Sequence, residues 1–190
     1  MASLRTISSC FLGLACFAAA PALAQTIHVA PFNNVELKGG GHVVIRYGQV
    51  QQVRIVSGSP AITRFAIDEP RKLRIETCNS KCPRHYDLQV EITTPRIDGL
   101  GVSGGGAVDS MGRFPAPRRL ALGVEGGGMV DARALDAQSV DAGVDGGGVI
   151  RLRATGRLTA AVNGGGRIRY WGNPEVTQAI NGGGSVERGD

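Results

Sequence analysis

The sequence predicts an all-β chain wound as a parallel β-helix, a solenoid with short glycine-rich turns. Two observations carry this. Six Gly-Gly-Gly triplets begin at Gly39, Gly104, Gly126, Gly146, Gly164 and Gly182, and the last five are spaced by 22, 20, 18 and 18 residues. On both sides of each late triplet, apolar and polar residues alternate with the period of two that belongs to strands. Composition agrees: hydrophobic residues are 42% of the chain but aromatics only 5%, so the core is Val, Ile, Leu and Ala, which suits strands. Glycine, at 29 of 190 residues, is roughly twice its usual share of about 7%.

Taken in order, residues 1–24 read as a secretory signal peptide. Arg5 precedes an apolar, small-residue run over 7–20, Pro21 breaks it, and Ala22-Leu23-Ala24 before Gln25 is a small-residue cleavage pattern. Lipoprotein processing at Cys10 or Cys16 is the rival, and it ranks lower because Cys10 has almost no apolar run before it and Cys16 has Gly13 where a large aliphatic belongs. No later stretch approaches the roughly 20 apolar residues of a membrane span. The expected mature part, 25–190, is one domain, periplasmic or at the cell surface or secreted.

Residues 25–95 lack the repeat but hold alternating strands at 43–47, 53–56, 62–67, 73–76 and 88–93, with turns at Gly58-Ser59-Pro60 and Asp68-Glu69-Pro70. Cys78 and Cys82 are the thiols that remain after cleavage, and in an oxidising compartment they close a small hairpin loop as a structural disulfide. His85 adds a third soft ligand, but zinc wants a fourth and a tighter Cys-x-x-Cys, so no metal and no cofactor are expected.

Residues 96–190 carry the regular repeat. Two positions before each triplet stand Leu37, Val102, Val124, Val144, Val162 and Ile180; immediately before stand Lys38, Ser103, Glu125, Asp145, Asn163 and Asn181. Two positions after stand Val43, Val108, Val130, Ile150, Ile168 and Val186. A unit of 18 to 22 residues has room for two or three strands and no helix, so it buries its apolar face only by stacking on its neighbours. Stacked laps bring equivalent residues to about 4.8 Å. The column three places after the late triplets then pairs Asp131 with Arg151 and Arg169 with Glu187, while Asp109/Asp131 and Arg151/Arg169 set like charges together. The glycines serve sharp turns, with an anion-binding nest of backbone N–H groups as the lesser reading. A left-handed hexapeptide helix of the acyltransferase type ranks low, because Gly156 and Pro174 break its phase.

The run Thr93-Thr94-Pro95-Arg96-Ile97-Asp98-Gly99-Leu100-Gly101-Val102-Ser103-Gly104, followed by repeated aliphatic-polar-Gly-x-Gly turns, resembles the GIN domain (DUF2807), the putative auto-transporter adhesin head domain. The resemblance extends over nearly all of residues 28–188. It implies a right-handed parallel β-helix at the bacterial envelope with an adhesive or binding role. The chain has no room for a membrane barrel, so self-translocation is not expected.

The functional expectation is therefore an exported, envelope-associated binding or structural module, adhesin-like and not an enzyme. Its formal charge of +5 is modest and interspersed, which argues against nucleic acid as a partner. Envelope glycans or another envelope protein are the expected partners, and exposed strand edges at 184–190 favour a cap or a homo-oligomer. Binding candidates are Arg118 and Arg119 in the loop over 113–119, Trp171 beside Tyr170, the Lys81-Cys82-Pro83-Arg84-His85-Tyr86 hairpin, and the paired carboxylates Glu125 and Asp145. The alternative is a polysaccharide-active β-helix enzyme that uses Glu125 and Asp145 as acid and base.

Overall fold

The computed structural model describes residues 25–68, 71–79 and 82–190, so the expected signal segment lies outside the described residues, as do Glu69 and Pro70 of one expected turn. The described residues contain no helix. Among the described residues, fifteen strands join in one curled, mixed sheet. They are β1 (Gln25–Ile27), β2 (Asn34–Gly39), β3 (His42–Tyr47), β4 (Gln52–Ser57), β5 (Arg64–Asp68), β6 (Lys72–Glu76), β7 (Gln89–Thr94), β8 (Gly99–Gly104), β9 (Ala107–Met111), β10 (Arg119–Gly126), β11 (Met129–Gly146), β12 (Val149–Gly164), β13 (Arg167–Trp171), β14 (Glu175–Asn181) and β15 (Ser185–Arg188).

Most of the pairing falls into two parallel ladders. The first runs β6, β2, β8, β10, residues 139–146 of β11, residues 157–163 of β12, then β14. The second runs β7, β3, β9, residues 129–132 of β11, residues 149–153 of β12, β13, then β15. Each glycine triplet carries the chain from the first ladder to the second. The register is that of the sequence columns: Val124 pairs with Val144 and Val144 with Val162, while Val130 pairs with Ile150 and Ile150 with Ile168. These inward side chains lie in one buried cluster with Leu37, Ile45, Ile75 and Leu158. Fully burying each such aliphatic contributes about 1.5–3 kcal/mol, which is what holds one lap on the next.

Within the triplets, the first and third glycines are required and the middle one is not. Gly146 has φ +116°, and a Cβ there would stand 2.7 Å from the carbonyl oxygen of Gly126 on the preceding lap. A Cβ on Gly148 would strike Cγ1 of Val124 and approach the Gly128 carbonyl oxygen at 2.8 Å. A Cβ on Gly147 meets nothing within 4 Å. The triplet amides are spent between laps: Gly127 N–H donates to Gly104 O, Gly147 to Gly126 O and Gly165 to Gly146 O, at 3.1, 2.9 and 3.0 Å. That use commits the middle amide of each of these triplets to the preceding lap.

Stacking departs from chain order in one place. β2 lies between β6 and β8, and β3 between β7 and β9, so the lap made by β6 and β7 sits outside an earlier one. The antiparallel strands β4 and β5 flank that outer lap, and β1 pairs antiparallel with β4. The lap has no glycine triplet. At its corner Thr77 N–H donates to Lys38 O at 3.0 Å, and Cys78 and Cys82 are joined as a disulfide. Both sulfurs are engaged in this bond, as expected of a structural disulfide. Replacing Cys78 and Cys82 by Ser is expected to lower stability by about 2 kcal/mol, the chain-entropy value for so short a loop, measured by denaturant unfolding.

Two local expectations need correction. The strand expected at 62–67 begins at Arg64, because the Ile62 and Thr63 amides both turn back to Ser59 O at 3.1 and 2.9 Å. The loop expected to be exposed at 113–119 buries Phe114, whose ring meets Tyr47 edge-on at a centroid distance of 5.8 Å.

Candidate binding face

On the outward side of the first ladder, strand alternation and in-register stacking build a ridge from residues far apart in sequence. Ser103, Glu125, Asp145, Asn163 and Asn181 occupy successive strands, each paired with the next. Hydrogen bonds run along it: Ser103 Oγ donates to Glu125 Oε2 at 3.3 Å, Asn163 Nδ2 to Asp145 Oδ1 at 3.2 Å, and Asn181 Nδ2 to Asn163 Oδ1 at 3.3 Å. No arginine or lysine forms an ion pair with Glu125 or Asp145 among the described residues.

Bare backbone flanks the ridge on both sides. Two residues earlier in each strand stand Gly101, Gly123, Gly143, Ala161 and Ala179; two residues later stand the middle glycines of the triplets. A Cβ on Gly123, Gly143, Gly127, Gly147 or Gly165 meets nothing within 4 Å, and none of these has a positive φ. Glycine within a strand weakens it and commonly marks a place where a ligand or another backbone comes close. Nothing in the packing of this chain calls for it at Gly123 or Gly143. The result is a shallow, open groove beside the ridge, in two stretches of about 560 and 460 Å³ that meet at Gly123 and Glu125. Lys72, bonded to Glu36 at 2.7 Å, stands at one end.

The other sequence candidates lie elsewhere. Arg118 lines a separate pocket of about 310 Å³ walled by Pro95, Pro115 and Pro117. Arg119 opens β10, in register with Ser139. Trp171 belongs to the second ladder: its Nε1–H donates to Asp190 O at 2.9 Å, and the Arg133 guanidinium lies 5.1 Å from its ring centroid. Asp131 clamps that guanidinium through Nε and Nη2 at 2.9 and 2.7 Å, and these hydrogen bonds hold Arg133 above the usual arginine pKa. Of the Lys81–Tyr86 hairpin, Lys81 lies outside the described residues. Tyr86 is structural, its hydroxyl taking the Ser59 amide at 2.7 Å and meeting Thr63 Oγ1 at 2.8 Å. The ridge is legible in the sequence as a column; the glycines beside it escape a search for chemistry-bearing side chains, although their fixed spacing from each triplet is a signal.

Glu125, Asp145 and Asn163, the middle of the ridge, fall within the most regular part of the ladders. Residues 116–174 match the family model described as putative auto-transporter adhesin, head GIN domain. The GIN match covers β10 to β13, where the ladders are most regular. Among solved structures, a putative adhesin from Bacteroides fragilis is similar over 87% of this chain and 96% of its own, at 20% identity and a TM-score of 0.57, which is a likeness of fold. A putative adhesin from Parabacteroides distasonis is similar over 87% of this chain and 95% of its own, at 17% identity and a TM-score of 0.45. No curated protein matches the chain.

Proposed function

We propose that this chain is an exported, non-catalytic binding module of the cell envelope, wound as a right-handed parallel β-helix, that presents its ridge to an extended, hydroxyl-rich polymer such as an envelope polysaccharide. The single observation behind the reading is the bare backbone at Gly123, Gly143 and the middle triplet glycines, positions where the packing leaves room for a side chain. A flat partner approaches that backbone closely while Glu125, Asp145, Asn163 and Asn181 offer acceptors and donors at the rung spacing of about 4.8 Å. Right-handed winding is supported by the strong chirality of connections between parallel neighbours in one sheet. Export is supported by the signal-like residues 1–24 and the disulfide.

Catalysis is the weaker reading on geometric grounds. A glycosidase pair flanks the scissile bond. Glu125 and Asp145 instead stand side by side in one column on the same flank of an open groove. The test is a polysaccharide array probed with the wild-type chain and with Gly143→Val, Arg118→Ala and Trp171→Ala. Binding lost only in the first supports the ridge; binding lost in the latter two with Gly143→Val unaffected overturns it.

A further inference from the structure

Over β11–β13 the outward side of the second ladder is rich in arginine. On three adjacent strands it carries Arg133 from β11, Arg151 and Arg153 from β12, and Arg167 and Arg169 from β13. Compensation is partial. Asp131 is already clamped by Arg133, so Arg151 reaches it only at 3.8 Å. Arg169 meets Glu187 at 3.9 Å, and Arg153 meets Asp136 at 3.3 Å. Arg167 makes no ion pair among the described residues, and Arg151 and Arg169 are direct cross-strand neighbours. Like charges so placed destabilise a sheet. The guanidinium-bearing side chains stay open to a partner: Arg133, Arg151, Arg153 and Arg169 are nearly half exposed.

The kind of cation and the shape of the face narrow the partner. No lysine follows Lys81 in the sequence, so every fixed side-chain cation of the repeat is a guanidinium, whose planar fork suits phosphate oxygens. Half-buried Met129 and Val149 border the arginines, with Val149 in register between Met129 and Arg167. Guanidinium groups on adjacent strands with an apolar border match a layer of anionic headgroups, which offers phosphates and an apolar boundary together, better than a nucleic-acid duplex, whose backbone offers phosphates alone. We propose that the β11–β13 face docks on the phosphate-bearing headgroups of an anionic lipid layer, with Arg151, Arg167 and Arg169 on the phosphates and Met129 and Val149 at the headgroup boundary. The docked molecule turns its polar ridge away from the lipid. This assignment does not depend on what the ridge binds.

Flotation with vesicles tests it on the full chain, using phosphatidylglycerol mixed with phosphatidylcholine, and phosphatidylcholine alone as the control for apolar insertion. The chain is expected to float with the anionic vesicles and to lose about tenfold or more of that affinity between about 0.05 M and about 0.5 M salt. The triple variant Arg151→Gln/Arg167→Gln/Arg169→Gln is expected to lose at least about tenfold at low salt, while Glu125→Gln/Asp145→Asn binds as wild type. Removing stacked like charges leaves the variant folded, and the salt response of the wild type stands independently of it. Equal binding to both vesicle types overturns the proposal, as does an unaffected triple variant. So does tighter binding to a DNA duplex than to anionic vesicles at the same salt, or complete release by millimolar inorganic phosphate, which would indicate a single-anion pocket.

Discussion

Gly146→Ala is expected to destabilise the protein by about 3 kcal/mol, whereas Gly147→Ala, one residue on, leaves it unchanged or slightly firmer. The two positions share a turn and differ in what the preceding lap allows. At Gly146 the added methyl demands a backbone angle that L-residues resist, and it lands 2.7 Å from a main-chain oxygen of Gly126. That oxygen accepts the Gly147 amide at 2.9 Å, so it has no freedom to retreat. At Gly147 the methyl enters open space, and the main consequence is a less flexible unfolded chain, worth about 0.4–1 kcal/mol in favour of folding. Paired urea unfolding curves measure the difference. Equal destabilisation by both substitutions would mean that the triplet acts as a generic flexible spacer and not as two hinges around a free position.

The second large effect concerns binding. Gly143→Val places a β-branched side chain in the middle of a strand, where such residues are favoured, and is expected to hold or raise the melting temperature. The same side chain fills the groove beside Asp145 and Glu125, so polysaccharide binding is expected to fall by about tenfold or more, equivalent to about 1.4 kcal/mol. A stabilised protein with lost binding separates the requirements of the ligand from those of the fold. Glu125→Gln is expected to weaken binding without altering any polysaccharide product, measured by chromatography of the incubated polymer. A product that forms with wild type and disappears with Glu125→Gln would favour the enzyme.

Much of the stacking can be read from residues alone. Val124, Val144 and Val162 announce themselves by their fixed distance from a triplet, and Asp131 meets Arg151 as that arithmetic requires. The ridge follows from the same columns. The position of the β6–β7 lap does not, because its corner holds Thr77 and a disulfide in place of glycines, leaving no repeat to align. The burial of Phe114 is hidden for a related reason, since it depends on Tyr47, which is far away in sequence although on the adjoining lap. The arginine face escapes a reading along the chain because charges that look interspersed there are sorted by strand alternation and then collected by stacking. Arg151 and Arg169 are 18 residues apart in sequence and adjacent in the sheet.

The hinged, in-register stacking of laps on which every neighbour relation depends can be tested bond by bond. Scalar couplings across hydrogen bonds, measured by NMR on isotope-labelled protein, identify the carbonyl that each triplet amide uses. The predicted result is a series from lap to lap: Gly127 coupled to Gly104, Gly147 to Gly126, and Gly165 to Gly146. Triplet amides coupled instead to carbonyls of their own lap, or to antiparallel partners, would contradict the stacking and with it both proposed faces.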